Sequence, residues 1–322
     1  MCFKDIDIKK AVSYAGTILM IASLFFVFRR IVQMQNDIDF SVLSNLWIFI
    51  PLLLVVLGES ITVILASINY RSLVTGISGV SVESHTGIKI YNIANMYKYI
   101  PGGAMYVIGR NRMAIETEGL RHGKVALATL IEGILWVVAA VILSSVYAFD
   151  HFLYYVGQLD ILPIVSLIIV LTALMAVPVM YCFRSRLEKI LNSIKNDTNG
   201  LLAMVLVKRL AFMLVIVSLW GFSFLATLVI LGQPMAPALG ITIVGLYILS
   251  WLVGFLTPGA PSGIGIREFI LLMFLGGILN EDILLSAIIV HRALQIAGDI
   301  LAYVTALGYA HLKNKKGSFI LY

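Results

Sequence analysis

Two glycine- and proline-rich breaks interrupt the hydrophobic pattern of this chain, and each one leads to a fixed positive charge. The first break covers residues 99–103 and is followed by Arg110; the second covers residues 257–266 and is followed by Arg267. Glycine lets backbone amide groups approach a ligand closely, and amide groups at a helix N-terminus bind phosphate oxygens. An arginine guanidinium can hold the same phosphate through two parallel hydrogen bonds. The pattern therefore predicts a site for an anionic headgroup.

The candidate binding residues lie in and beside both breaks. Arg267 is the strongest candidate, because the break before it is rich in glycine and leads into a short helix. The predicted binding residues are Lys98, Pro101, Gly102, Gly103, Arg110, Pro258, Gly259, Gly263, Gly265, Arg267 and Glu268. Two simpler roles stay open. Arg267 can pair with Glu268 or act as an orientation charge, and Arg110 can be one of several basic residues that fix the orientation of the chain.

A second set of polar residues lies within hydrophobic segments, where ionisable groups are costly and usually face the interior of a helix bundle. This predicted intramembrane network comprises Glu59, Glu132, His291, Arg292, Gln295 and Asp299. His291, Gln295 and Asp299 recur every fourth residue and therefore form one stripe on a helix. One interpretation is an internal network in which Glu132 pairs with Arg292. The other is a path for a proton or a headgroup, because histidine and carboxylates titrate in a suitable range.

The sequence gives little support to covalent chemistry. Cys2 and Cys182 are far apart and form neither a disulfide framework nor a metal motif. No nucleophile and base stand at a recognisable spacing, and Ser262 has no histidine near it in sequence. We therefore expect no catalytic residue, no metal and no cofactor, and transport is favoured over catalysis.

The composition is that of an integral membrane protein. Of the 322 residues, 60% are hydrophobic and 12% are charged, and the mean hydropathy is +0.99. The sequence predicts membrane spans over residues 11–28, 46–66, 125–147, 161–183, 210–231, 236–256 and 283–310. The predicted fold class is an all-α polytopic membrane protein. Its net charge of +6 mainly sets the orientation, so nucleic acid is not an expected partner.

Two weaker hydrophobic segments adjoin the breaks. Residues 88–108 are interrupted at Pro101, which predicts a re-entrant hairpin. Residues 264–279 are counted as a crossing, for a total of eight, although ~24 Å of helix is short for a hydrocarbon core of ~30 Å. The alternative is seven crossings plus an additional re-entrant element. Broken helices persist at membrane depth only where they line protein or a watery cavity. Breaks in corresponding places of two halves indicate a transporter-type site.

The loops at residues 148–160, 232–235 and 280–282 contain no lysine or arginine, which predicts that both termini are cytoplasmic. We expect one integral membrane domain over residues 1–322, with possible halves at 1–150 and 160–312 and a hinge loop at 184–208. In each half a break leads to an arginine and then to a helix with an ionisable residue. Glu132 lies 31 residues after Pro101, and the His291–Arg292 pair lies 33–34 residues after Pro258.

The breaks also carry a family resemblance. Residues 95–103, with Gly109-Arg110 beyond them, resemble the first signature of the lysylphosphatidylglycerol synthase transmembrane family, the flippase-like domain of multiple-peptide-resistance proteins. Glu132 matches the family's glutamate in the following helix. Residues 258–268 resemble its second signature, Pro-Gly-Gly-x-Gly-x-Arg-Glu, with Ala-Pro-Ser at 260–262 replacing the tighter glycine run. The resemblance extends over residues 10–310.

This resemblance implies a membrane domain that moves a lipid across the bilayer. Fused members add an aminoacyl-transferase domain, which we expect this chain to lack. The expected function is translocation of an anionic phospholipid, an aminoacyl-phospholipid or a lipid-linked envelope precursor across the cell membrane. The alternative is a membrane-embedded transferase, such as a phosphatidylglycerol lysyltransferase, or an accessory subunit of a lipid- or glycan-modifying enzyme. The expected partners are anionic membrane lipids and a separate lipid-modifying enzyme or glycosyltransferase.

Overall fold

The computed structural model describes residues 46–99, 105–148, 201–257 and 261–318, together with Phe25 and Arg29. Over these residues the chain consists of helices and short connections, with no strand. The α-helices traced here are α1 (Phe49–Ser78), α2 (Ser84–Met96), α3 (Met105–Glu118), α4 (His122–Tyr147), α5 (Leu201–Ile230), α6 (Pro237–Leu256), α7 (Ile266–Leu275) and α8 (Glu281–Ser318). Short 3₁₀ turns occupy Leu46–Ile48, Tyr97–Tyr99 and Pro261–Gly263.

Five of these helices, α1, α4, α5, α6 and α8, are long and apolar enough to cross a membrane. The shortest, α6, has 20 residues and therefore extends over ~30 Å. Large apolar side chains such as Leu54, Val207 and Val304 are exposed on their outer faces, as expected for helices that contact lipid. The fold is an all-α polytopic membrane protein, which confirms the predicted class.

Several helix ends differ from the predicted spans. Helix α1 continues to Ser78, well past the predicted end at residue 66. Helix α5 begins at Leu201, so residues 201–208 of the predicted hinge loop are helical, because the apolar run before Lys208 continues the helix of the span. The predicted span at 11–28, apart from Phe25, lies outside the described residues, as do the span at 161–183 and the hinge residues 184–200. The total of eight crossings therefore stays a prediction.

The first break separates two short helices that pack against each other as a hairpin. Helix α2 has 13 residues and α3 has 14, so each extends over only ~20 Å and is too short for a full crossing. The hairpin starts beside the end of α1 and ends beside the start of α4, and short loops make both connections. Its two ends therefore lie on the same side of the bundle, as the prediction of a re-entrant element requires.

The second break lies at the end of α6 and turns the chain back along that helix. Ser262, Gly263 and Gly265 have φ values of 52°, 68° and 84°, a left-handed conformation that glycine adopts at little cost. Helix α7 then has only 10 residues and is too short to cross alone. The backbone N–H of Asn280 nevertheless donates to Gln233 Oε1 at 3.2 Å, which places residue 280 beside the start of α6. Residues 261–280 therefore run back along α6, and the assignment of residues 264–279 as a crossing stays a prediction.

Helix α8 brings the two breaks together. It packs closely along α1 at Gly298, where an added Cβ would lie 2.6 Å from the Glu59 Cβ. It also contacts α2, α5 and α7. Its polar side chains therefore face the turn after α2 on one side and the turn before α7 on the other.

Candidate functional site

The turn after α2 is fixed to α8 through Asp299, which is buried at 3% exposure. Lys98 Nζ lies 2.8 Å from Asp299 Oδ2, and the Asn95 side-chain amide donates to Oδ1 at 2.7 Å. The Tyr99 hydroxyl donates to the same carboxylate. Two residues of the predicted network and binding set, Asp299 and Lys98, therefore form an ion pair.

The turn before α7 is fixed to α8 through Arg292. Its Nη2 donates to the Ser262 carbonyl at 3.0 Å and its Nε donates to Glu268 Oε1 at 2.8 Å. The other Glu268 oxygen accepts the Gly265 amide at 2.7 Å, which caps the start of α7. Arg292 and Asp299 thus hold the two breaks against one face of a single helix.

Tyr247 on α6 is the centre of the hydrogen-bond network between these contacts. Its hydroxyl accepts from Arg267 Nη2 at 2.5 Å and from Gln295 Nε2 at 2.8 Å, and it lies 3.0 Å from His291 Nε2. Two donors occupy its lone pairs, so its own proton goes to His291 Nε2. His291 is then neutral, with its proton on Nδ1, which donates to Thr227 Oγ1 at 3.1 Å.

Arg267 occupies the position that the sequence singled out, and it is buried at 6% exposure. Its cation lies 5.2 Å from the centre of the Tyr247 ring. In the part of the chain that the structure describes, no carboxylate forms an ion pair with it. The alternative pairing with Glu268 is wrong, because consecutive residues on a helix do not face each other and Glu268 is already bonded to Arg292.

Glu132 pairs with Arg110 and not with Arg292, so the predicted bond between the halves is wrong. Arg110 Nη2 lies 2.6 Å from Glu132 Oε2, and both side chains are buried. The physical reason is that α3 packs against α4, where the Thr129 hydroxyl also donates to Asn111 Oδ1 at 2.7 Å. Arg110 is therefore not one of the exposed basic residues, unlike Arg112 two positions later, whose side chain is 76% exposed.

Three tyrosine rings surround the Arg110 guanidinium. The ring centres of Tyr70, Tyr91 and Tyr106 lie 4.0, 5.2 and 5.9 Å from it, so cation–π attraction adds to the ion pair with Glu132. Sequence reasoning missed Tyr70, Tyr91 and Tyr247 as partners of arginines. Each is the single tyrosine of its helix and resembles an ordinary core aromatic. The polar stripe on α8 could have indicated Tyr247, because polar side chains on a buried helix face need polar partners on the helices that pack against it.

The remaining binding candidates divide into two groups. Gly263 and Gly265 form the turn before α7, and an added Cβ at Gly263 would lie 3.0 Å from Arg267 Cδ. Pro101, Gly102, Gly103, Pro258 and Gly259 lie outside the described residues.

The predicted network residue Glu59 is buried at 4% exposure on α1. It accepts a hydrogen bond from the Ser223 hydroxyl, and its Oε1 lies 3.8 Å from His291 Nε2. That distance is too long for a hydrogen bond. Glu59, His291, Arg292, Gln295 and Asp299 are therefore brought together around α8, whereas Glu132 belongs to the separate Arg110 cluster.

A small cavity lies beside Arg267 and is lined by Tyr247, His291, Arg292 and Gln295. Its volume is about 10 Å³, which is room for about one water molecule. Pockets that hold small ligands have volumes of roughly 300–1,000 Å³. In this conformation, called the closed conformation below, the cavity beside Arg267 is therefore too small for a headgroup.

No protein-family model matches this chain, and no curated protein sequence matches it either. The resemblance to the lysylphosphatidylglycerol synthase transmembrane family, like the function it implies, stays a prediction.

Proposed function

We propose that this protein binds the anionic headgroup of a membrane lipid or lipid-linked precursor at Arg267 and moves it across the membrane. The observation that carries the proposal is the burial of Arg267 without a carboxylate in contact among the described residues. A buried charge is costly unless it is paired. Among the described residues, a phenol hydroxyl accepts from one of the five guanidinium N–H donors, so the other donors can serve an anion.

The backbone around Arg267 supports the same proposal. Arg267 lies in the first turn of α7, where the amide groups have no acceptor within the helix and the helix dipole favours negative charge. Gly263 and Gly265 precede it and carry no side chain that would block an approaching phosphate. Guanidinium and amide donors are thus combined on one side of the break, an arrangement suited to phosphate oxygens.

Transport also requires that the site opens, because the cavity of about 10 Å³ does not admit a headgroup. The contacts that hold the breaks against α8 are hydrogen bonds and ion pairs at Asp299 and Arg292. An arriving phosphate can replace Asp299 as the partner of Lys98 and Glu268 as the partner of Arg292. In this proposal, binding of the headgroup and separation of the two breaks are therefore coupled.

The test is reconstitution of the full-length protein into vesicles that contain fluorescent phosphatidylglycerol, with phosphatidylcholine as the uncharged comparison. We expect wild-type protein to accelerate movement of phosphatidylglycerol between leaflets. Arg267→Ala abolishes this activity, and Arg267→Lys lowers it at least tenfold, because lysine keeps the charge but loses the two-pronged geometry. Arg112→Ala is the matched control, since it removes an exposed arginine that lies outside the site.

Two outcomes would contradict the proposal. Folded Arg267 variants that move lipid as fast as wild type would make Arg267 a structural charge only. Appearance of a modified lipid, without movement of the unmodified one, would favour the membrane-embedded transferase instead. Thermal unfolding of each variant before reconstitution separates loss of function from loss of fold.

The proposal also places the protein in the plasma membrane, with both termini in the cytoplasm. Its basis is the absence of lysine and arginine from residues 148–160, 232–235 and 280–282. A single cysteine at Asn196, in a chain without Cys2 and Cys182, is the probe. We expect no labelling by an impermeant thiol reagent added to intact cells. Labelling from outside would contradict the proposed orientation.

A further inference from the structure

Glu59 and Arg267 are two buried charges of opposite sign that do not touch each other. Their exposures are 4% and 6%. The other charged residues of the same core form direct pairs, Arg292 with Glu268 and Lys98 with Asp299. When these pairs are set aside, one carboxyl group and one guanidinium group remain, on α1 and α7.

Tyr247 and His291 connect these two groups. Arg267 Nη2 donates to the Tyr247 hydroxyl at 2.5 Å, and that hydroxyl lies 3.0 Å from His291 Nε2. The same His291 nitrogen lies 3.8 Å from Glu59 Oε1. A change of charge at either end of this chain therefore acts on the other end through groups that are themselves buried.

We propose that Glu59 and His291 form a proton-binding site, and that a proton is taken up there when an anion binds to Arg267. This inference rests on the proposed function of Arg267. In the closed conformation the charges of Glu59 and Arg267 offset each other. An anion bound to Arg267 removes that compensation and leaves the Glu59 carboxylate as an unbalanced charge in a medium of low dielectric constant, where such a charge is costly. Protonation of Glu59 restores neutrality.

The surroundings of the site are consistent with this charge balance. The titratable and charged groups that face Glu59 and His291 are Tyr247 on α6, Arg267 and Glu268 on α7, Arg292 and Asp299 on α8, and Lys98 and Tyr99 in the turn after α2. Helix α5 contributes the neutral hydroxyls of Ser223 and Thr227. Since the ion pairs among these groups cancel internally, the outcome is decided by Glu59 and the anion at Arg267.

The proton can reach Glu59 through His291. Once the anion has drawn Arg267 away from the Tyr247 hydroxyl, that hydroxyl can turn its own proton away from His291 Nε2. Water-borne hydronium then breaks one of its O–H bonds and gives the proton to Nε2, where an N–H bond forms and a neutral water molecule is left. A small rotation of the ring then closes the 3.8 Å gap to Glu59 Oε1. The N–H bond breaks as the O–H bond of Glu59 forms, and His291 returns to its neutral form with its proton on Nδ1.

The experiment measures binding of dihexanoyl phosphatidylglycerol to the purified full-length protein between pH 5 and pH 9. The phosphodiester keeps a single negative charge over this range, so any pH dependence comes from the protein. We expect wild-type affinity to fall as pH rises, approaching a tenfold loss per pH unit for one coupled proton. In weakly buffered solution, a pH indicator should report about one proton taken up per lipid bound.

Glu59→Gln imitates the protonated side chain and is the decisive variant. We expect it to bind the lipid with the wild-type affinity measured at pH 5, at every pH, and without proton uptake. Glu116→Gln, which alters an exposed carboxylate on α3, is the matched control and should keep the wild-type slope. Ser223→Ala is a second variant in case Glu59→Gln does not fold. It removes the hydrogen bond that favours the Glu59 carboxylate, so proton uptake should extend to higher pH.

The possible failures are distinguishable. A Glu59→Gln protein that retains the wild-type pH slope, or lipid binding without proton uptake, overturns the proton site while leaving Arg267 as the binding residue. If Glu59→Gln does not fold, an unchanged pH range in Ser223→Ala has the same meaning. Equal binding of the lipid by wild type and Arg267→Ala overturns the proposed function itself, and the proton site with it. The soluble headgroup glycerophosphoglycerol tests whether the acyl chains contribute, and equal affinity for it would assign the site to free phosphodiesters.

Discussion

The two arginines that follow the breaks have similar local settings. Arg110 lies nine residues after Pro101, and Arg267 lies nine residues after Pro258. Each guanidinium also lies against a tyrosine ring, Tyr70 at 4.0 Å or Tyr247 at 5.2 Å. Tyr70 lies on α1, two helices before α3 with Arg110, and Tyr247 lies on α6, the helix before α7 with Arg267. The two arginines therefore share their spacing from a proline and a tyrosine neighbour.

The two sites differ in what neutralises the cation. Arg110 is in contact with the Glu132 carboxylate at 2.6 Å, whereas Arg267 has the Tyr247 hydroxyl. The carboxylate completes the first site within the protein and makes it structural. The second site keeps a positive charge for which an external anion is a suitable partner. The difference indicates that two arginines at the same spacing from a proline meet different partners, because different helices pack against them.

The largest effect that this comparison predicts is on stability at the Arg110 site. Arg110→Met leaves Glu132 buried and unpaired, which should lower the free energy of unfolding by about 3–5 kcal/mol. Glu132→Leu should cost a similar amount, and the double replacement should cost far less than either. Arg267→Met takes no ion-pair partner away from a carboxylate among the described residues, so it should lower the free energy of unfolding by less. Denaturant unfolding in detergent measures all four variants, and equal losses for Arg110→Met and Arg267→Met would remove the distinction.

The next prediction compares the two tyrosines by removing only their hydroxyl groups. Tyr247→Phe leaves the Arg267 guanidinium without its hydrogen bond and should lower the free energy of unfolding by about 1.5–3 kcal/mol. The Tyr70 hydroxyl is buried and has no hydrogen-bond partner among the described residues. Tyr70→Phe therefore removes no described hydrogen bond and should leave the free energy of unfolding unchanged or raise it slightly. If Tyr247→Phe is equally silent, the network around Arg267 does not hold that cation in place.

The contrast between the breaks explains how far sequence reasoning could go. Long apolar runs predicted the membrane fold, and the Pro-Gly interruptions predicted the short hairpin and the short α7, because both depend on local chain properties. The polar stripe of His291, Gln295 and Asp299, spaced four residues apart, was likewise visible. Of its members, Asp299 contacts Lys98 beside the first break, whereas His291 and Gln295 contact Tyr247 on α6.

Pairing of the buried charges could not be predicted from the same patterns. The sequence offered Glu132 as a partner for Arg292, yet packing of α3 against α4 brings Arg110 to that carboxylate first. Burial of Arg110 was also hidden, because exposed basic residues follow it within a few positions. Which charges meet depends on helix–helix contacts between distant segments, and hydropathy and spacing carry little information about those contacts.

A smaller effect is expected from filling the space where α6 meets the second break. A Cβ at Gly254 would lie 2.7 Å from Arg267 Cγ and 3.2 Å from the Gly263 Cα. Gly254→Ala should therefore displace Arg267, lower the free energy of unfolding by about 1–3 kcal/mol and weaken lipid binding. Gly133 on α4 is the matched control, since nothing lies within 4 Å of its added Cβ. Gly133→Ala should be neutral or slightly stabilising, and the same behaviour from Gly254→Ala would show that the break can shift without affecting the site.

The smallest effect is expected at Arg112, and it tests whether positive charge alone explains the comparison. Arg112 lies two residues after Arg110 on the same helix, and its Nε donates to Glu116 at 2.6 Å. Both side chains are exposed, at 76% and 58%, so water and salt screen their interaction. Arg112→Ala should leave both the unfolding transition and the binding of phosphatidylglycerol unchanged, at low and at high ionic strength. A localised site makes the buried Arg267 matter more for lipid binding than the exposed Arg112. A loss of lipid binding as large as that caused by Arg267→Ala would therefore mean that the lipid responds to the summed positive charge of the protein.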